Sequence, residues 1–296
     1  MAVYVNTNVS SLHGRRQLNN VQNQLSTTYQ RLSSGLRINS AKDDAAGLQI
    51  ADRLTTQING LNQGNRNTND GIALAQTIEG GMDEMSGMLQ KIRTLAVQSA
   101  NGTNTSDDRA AIKKEGDALM TEITRIAQQT KFGGKTVLNG AITEGSMYWT
   151  GAAVTAGTMT LQVGANNGDQ ISFKVNDFAF SAVADRAGGD GWNDKTGLTL
   201  STASGAKDVI SLMDNMIKDV DSQRSDLGAL QNRLESSIRN QSNVAANQAD
   251  ARSRIRDADF AEESAALSQQ SIIQQAATSM LMQANSRPQL ALSMLG

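Results

Sequence analysis

From Asp43 to Asn101 the chain carries an apolar or small residue at every seventh position: Leu54, Leu61, Thr68, Ala75, Met82, Leu89 and Ala96. A companion row, Ile58 and Ile72, slips by one residue and resumes at Ile78, Met85 and Ile92. A sustained seven-residue repeat sets one narrow stripe along a long helix, where other helices pack on it. No proline interrupts the stretch, so the pattern predicts a rod of roughly 80–90 Å and an elongated protein. Gly60, Gly64, Gly71, Gly80, Gly81 and Gly87 lie in the same rod, each costing about 1 kcal/mol relative to alanine inside a helix. A helix so weakened needs partners, and small residues let partners come close.

A second row supplies the partner. Met213, Val220, Leu227, Leu234, Gln241, Gln248 and Ile255 fall at intervals of seven, with Ile217, Ile238 and Ala245 alongside. They predict a second rod of roughly 75 Å that starts between Ser201 and Ser204. Gln241 and Gln248 sit on its seam, where polar residues fix register at a cost in stability. Between the rods, NGTNTS reads as a turn, with Ser106 as N-cap and Asp107 and Asp108 behind it. Ile112, Leu119, Ile123 and Ile126 then mark a third helix, to about Gln129, folded back on the first rod. From Lys131 to about residue 200 the period changes. Thr158–Val163 and Gln170–Val175 alternate around GANNGD, a hairpin signal. Most aromatics gather here, so this section is expected to be β-rich with its own core. The rods bracket it and must therefore run antiparallel.

The two ends carry stripes of their own. Leu18, Val21, Leu25 and Leu32 mark a helix in residues 1–36, and Ile273, Ala277, Met280 and Ala284 share a face in residues 256–296. Exposed apolar stripes at both termini are expected to pair with each other and with the same surfaces on neighbouring copies. The breakers Ser33, Ser34, Gly35, Asn39 and Ser40 predict a crossover before the first rod. Asp43 and Asp44 are expected in its first turn, where the helix dipole favours negative charge. They lack the neighbouring oxygen ligands of a calcium loop.

Composition narrows the chemistry. The 296 residues carry a net charge of −2, no cysteine and one histidine, His13. That inventory excludes disulfides, thiolate metal sites and histidine-based triads. The near-zero charge offers no broad basic surface for nucleic acid. No run approaches the ~20 apolar residues of a membrane span, and the polar start does not read as a general secretory signal. GANNG and GGDG lack the spacing of phosphate-binding loops. No cofactor and no catalytic or metal site is expected.

The stretches MAVYVNTNVSSL, QRLSSGLRINSAKDDAAGLQIADRL, LAVQSANGT, QRSDLGALQNRLES and SRIRDADFAEESAALS, the last followed by IIQQAATSMLMQAN, together resemble those of bacterial flagellins. The likeness covers nearly all of residues 1–140 and 200–296. The middle is short, so the chain looks like a compact form. The resemblance implies a mainly α fold with a small β section: long antiparallel coiled-coil-like helices, pairing terminal helices, and β-hairpins in the central insert. It implies an inner domain from 1–36 with 256–296, spoke linkers at 37–46 and 253–257, a helical rod domain from 47–130 with 201–252, and a variable outer section at 131–200. The terminal segments are expected to be disordered in the free chain and to fold on assembly.

The implied function is structural: a secreted, non-enzymatic subunit that polymerises with identical copies into the extracellular flagellar filament for motility. The alternative within the same machinery is a hook–filament junction protein. The implied assembly residues are Leu18, Val21, Leu25, Leu32, Ile273, Ala277, Met280 and Ala284. Implied partners are the flagellar export apparatus, a secretion chaperone, and hook-associated and cap proteins. The resemblance also implies contact with host Toll-like receptor 5 through Leu89, Gln90, Lys91, Arg93, Leu95 and Glu115. Lys91 stands where the family usually has arginine, and it lacks the planar bidentate fork. Thr94 replaces a usual glutamate, and Leu89 is expected to be buried between subunits. Thr143, Ser146, Thr150 and Thr155 are candidates for O-glycosylation.

Overall fold

The computed structural model describes residues 7–140, 145–148, 156–193 and 196–293. The chain is mainly helical: α1 (Val9–Ser34), α2 (Ala45–Ala100), α3 (Ser106–Gln129), α4 (Phe180–Arg186), α5 (Ala203–Arg256) and α6 (Phe260–Ser293). Among the described residues three two-stranded antiparallel sheets join them: β1 (Lys131–Phe132) with β2 (Lys135–Thr136), β3 (Ala156–Gln162) with β4 (Gln170–Asn176), and β5 (Trp192–Asn193) with β6 (Gly197–Leu198). It divides into two compact units, one of Asn59–Val244 and one of Met1–Ile58 with Ala245–Gly296. The long helices α2 and α5 contribute to both.

In the Asn59–Val244 unit the heptad rows behave as expected. Thr68, Ala75, Met82, Leu89 and Ala96 on α2 are buried, as are Met213, Val220, Leu227 and Leu234 on α5. The helices run antiparallel in constant register. Arg224 pairs with Asp83 at 3.0 Å and Arg93 with Asp214 at 2.6 Å, ten residues further along each helix. Gln241 is buried on the seam and donates to the Ser237 hydroxyl.

The central section does not have a core of its own. Val137, Leu138, Phe178, Phe180, Leu198 and Leu200 join Leu74, Ile78, Met82 and Met213 in one continuous cluster. Two-stranded ribbons are marginal alone and are stabilised here by lying on the helices. The contact explains four of the six rod glycines, Gly81 among them, where a Cβ would meet Leu138. A Cβ at Gly64 would stand 2.1 Å from the Val163 carbonyl oxygen, one at Gly60 2.7 Å from Ala165 Cβ, and one at Gly71 2.4 Å from Leu161 Cδ1. These three therefore seat the β3–β4 hairpin. Gly80 and Gly87 have nothing within 4 Å.

Local chemistry moves two boundaries and adds one short helix. The N-cap of α3 is Thr105 rather than Ser106, because Thr105 forms a capping box with Asp108. Neither Asp43 nor Asp44 lies in the first turn of α2. Asp44 accepts from the Gly47 amide at 2.9 Å, ahead of the helix. Asp43 accepts from the amides of Ser40 and Asn39 and from the Ser40 hydroxyl. Those bonds, the Ser40 amide foremost, hold its carboxyl below the usual range. The short helix α4 is absent from the sequence reading. Ahead of it Asp177 accepts from the Ala179 amide at 2.9 Å, and Arg186 lies over the Phe178 ring.

In the other unit, α1 ends on Gly35 in the left-handed conformation, whose amide donates to the Arg31 carbonyl. The chain then crosses beside the return segment. Leu36 and Asp257 form an antiparallel bridge, the Arg37 amide donates to the Arg256 carbonyl, and Ala258 donates to Gly35. Residues 253–256, expected in a linker, are the last turn of α5. Ile38 is buried beneath the crossing.

Candidate assembly surfaces

α1 and α6 pack along one another. Arg31 Nη1 meets Glu263 Oε1 at 3.2 Å near one end, and Asn8 Nδ2 donates to the Ala284 carbonyl at 2.7 Å near the other. Glu263 is nearly enclosed and Arg31 only partly exposed, so the pair is shielded more than an ordinary surface ion pair. Between them lie Val21 and Thr28, buried, and Leu18, Leu25 and Leu32, half-buried. A Cβ at Gly14 would stand 3.1 Å from Leu281 Cδ1. The sequence marks Gly14 as a soft spot, and the structure makes it a close approach.

The α6 side of this seam is not the face expected. Ala277 and Ala284 lie on it, half-buried, with Leu267, Gln270, Gln274 and Leu281. Ile273 and Met280 flank it and are 37% and 73% exposed. Gln270, Gln274, Ala277, Leu281 and Ala284 alternate steps of three and four along one stripe, and Ile273 and Met280 sit at its edge, roughly 60–80° from its centre. Ile272 and Met282 are likewise about two-thirds exposed, as are Phe260 and, on α1, about half of Val9, Leu12 and Tyr29. Beside Met280 a groove of about 680 Å³ runs between the helices, lined by Ser10, His13, Gly14, Ala277 and Ala284.

The receptor-contact candidates separate into two groups. Leu89 and Leu95 are buried in the helical core of their own chain, so Leu89 is covered within the subunit rather than between subunits. Gln90, Lys91, Arg93 and Glu115 are exposed. Lys91 lies 3.7 Å from Glu115, and Arg93 is held by Asp214. Thr94 donates back to the Gln90 carbonyl. Of the glycosylation candidates, Ser146 is buried and its hydroxyl donates to the Gly140 carbonyl, so the folded chain does not present it. Thr143, Thr150 and Thr155 lie outside the described residues.

Among the described residues no three acidic or histidine side chains converge as a metal ion would need, and no helix is long and apolar enough to cross a membrane.

Two family models match, the bacterial flagellin N-terminal helical region over residues 5–143 and the C-terminal helical region over residues 210–295. Flagellin B of Vibrio cholerae is 37% identical over the whole of both chains, and polar flagellin F of Vibrio parahaemolyticus is 36% identical over the whole of both. The first alignment spans 376 positions against the 296 residues here, so the shorter chain is the compact one. A solved structure described as a flagellar hook-associated protein of Vibrio parahaemolyticus covers 73% of this chain and 100% of its own at a TM-score of 0.58, with 16% identity. That likeness is one of fold, and the full-length relatives above are flagellins rather than junction proteins. The chain therefore belongs to the bacterial flagellins, the structural subunits of the extracellular flagellar filament.

Proposed function

We propose that this flagellin polymerises through the outward faces of α1 and α6, and that the seam between them serves mainly to hold those faces in place. The observation that carries the reading is the exposure of Ile272, Ile273, Met280 and Met282 on one helix. Burying a large apolar side chain contributes about 1.5–3 kcal/mol. Four of them give on the order of 10 kcal/mol, comparable with the ~4–15 kcal/mol lost when one body is fixed against another. A single pairwise contact would thus be marginal. Several neighbours at once, as in a helical tube, make addition favourable.

Of the assembly residues read from the sequence, Met280 and Ile273 make contact between copies in this reading. Leu18, Val21, Leu25, Leu32, Ala277 and Ala284 act chiefly within the α1–α6 pair. Met280→Asp tests it cleanly, because the side chain touches little in its own subunit. Growth from seeded filament fragments, followed by electron microscopy, should stop while the helical signal of the free chain persists. Normal filaments from this variant would refute the reading.

The finer partners follow from the same state. A chain with no cysteine and thinly covered ends suits passage, unfolded, through the flagellar export apparatus with a chaperone on its terminal helices. Hook-associated and cap proteins would then meet the same faces at the two ends of the polymer. Contact with Toll-like receptor 5 would rest on Gln90, Lys91, Arg93 and Glu115, not on Leu89 or Leu95. Lys91→Arg should raise the response of receptor-bearing reporter cells, since it restores a bidentate fork; an unchanged response would remove Lys91 from the contact. Glycans at Thr143, Thr150 or Thr155 would appear as added mass on the intact chain.

A further inference from the structure

The chain has twelve methionines. Met82, Met85, Met213 and Met216 lie in the core with 1% exposure or less. Met88, Met120, Met147 and Met159 are half-buried. Among the described residues the exposed methionines are Met280 and Met282, at 73% and 68%, and both stand on α6. They share that helix with exposed Ile272 and Ile273, and Met280 also walls the groove beside His13 and Gly14. Among the described residues, the two sulfurs most open to an oxidant in solution therefore stand on different sides of α6, both outside its seam with α1.

We propose that Met280 and Met282 form an oxidation-sensitive switch on polymerisation, reacting in the free chain and protected in the filament. The inference rests on the assembly reading above. The co-reactant is a peroxide. The thioether sulfur attacks one peroxide oxygen, the O–O bond breaks, and the sulfur gains that oxygen as a sulfoxide. Sulfur gives up two electrons, and the departing oxygen leaves as water after taking a proton. The product is polar and chiral where an apolar, flexible group had been. Its oxygen is a strong acceptor, and an apolar contact offers it no donor, so each sulfoxide opposes burial. Chains already in the polymer would keep both thioethers because the contact covers them. Oxidation would then act on new subunits rather than on finished filament.

The test uses the full-length chain. Free protein and preformed filaments are treated with graded hydrogen peroxide, and each methionine is followed by peptide mass spectrometry. Met280 and Met282 should oxidise first in the free chain, and roughly ten-fold or more slowly in filaments. Oxidised free chain should extend seeds roughly ten-fold or more slowly than untreated chain. The double variant Met280→Leu with Met282→Leu should extend seeds at the same rate before and after treatment. Restoration of growth by a methionine sulfoxide reductase would assign the loss to sulfoxide alone. The proposal is overturned if chain oxidised at both residues extends seeds normally, or if the two residues oxidise equally fast in filaments. It also falls if the Leu variant loses growth on treatment as the natural chain does. Should untreated chain fail to extend seeds, the assembly reading itself has failed and the switch falls with it.

Discussion

In the Asn59–Val244 unit a seven-residue repeat is fully covered. In the unit of the two chain ends a similar repeat is covered on one side only. Ala75, Met82, Leu89 and Ala96 meet α5, α3 and the hairpins, and their exposure is near zero. On α6 the covered stripe holds Leu267, Leu281, two alanines, Gln270 and Gln274, all only half-buried, and Ile272, Ile273, Met280 and Met282 are exposed. The difference lies in the number of layers. Three helices and a hairpin can enclose a stripe from several directions, whereas a lone helix pair covers one stripe on each member. The first unit therefore encloses its stripe within one chain, and the second leaves large apolar groups uncovered.

The widest gap between the units should appear on truncating one side chain in each. Leu74→Ala empties part of a closed core and should cost about 2–5 kcal/mol, read from chemical denaturation of the free chain. Leu25→Ala removes a half-buried group from the α1–α6 seam. It should leave the main denaturation transition within about 1 kcal/mol of the natural chain. Its effect belongs in seeded growth instead. Equal losses from both variants would mean that the terminal helices are cored as firmly as the rods.

A smaller effect, of opposite sign at two glycines, sharpens the point within one helix. Gly64→Ala drives a Cβ into the Val163 carbonyl and should destabilise by about 1–3 kcal/mol, the cost of overpacking against backbone that cannot turn aside. Gly80→Ala meets nothing and should stabilise by roughly 0.5–1 kcal/mol through helix propensity alone. Thermal melts of the two free chains should therefore move in opposite directions. If Gly80→Ala fails to stabilise the free chain yet slows seeded growth, the open glycine face belongs to contacts between copies.

These glycines also show how far the sequence could be read. Period seven located both rods and named most of their buried residues, because a stripe is a local property of one helix. Gly60, Gly64 and Gly71 read as propensity losses that would let a partner come close, but the partner itself, the 161–165 stretch, lies about a hundred residues away and is not legible locally. The seam of α6 was misplaced for a related reason. A search for apolar residues passes over Gln270 and Gln274 and settles on Ile273 and Met280, which are hydrophobic and lie at the edge of the stripe. At Thr105 and Ser106 two good caps stand side by side, and only the reach of Asp108 decides between them. Helix α4 has seven residues, too few for a period to declare itself. Of the receptor candidates, the charged and amide members are exposed and the two leucines are not, which alternation along a helix would have indicated.

The least of the expected effects probes the better-covered unit through charge. Asp177 is 2% exposed, and burial raises its carboxyl above the ordinary 3.8, opposed by the bond from the Ala179 amide and by Arg186. A raised value means that the folded chain holds this proton more tightly than the unfolded one. The associated stability is complete below 3.8 and is lost as the pH rises through the higher folded value. Near neutral pH the fold thus carries the cost of a buried charge. Asp177→Asn removes the charge while its amide oxygen can still accept from Ala179. The variant should melt slightly higher than the natural chain at pH 7, by at most about 4 °C. The advantage should shrink as the pH falls toward 4. If Asp177→Asn is destabilising by the same amount at both pH values, the ionised carboxylate is the better partner for the Ala179 amide, and the desolvation argument fails even in the most enclosed part of the chain.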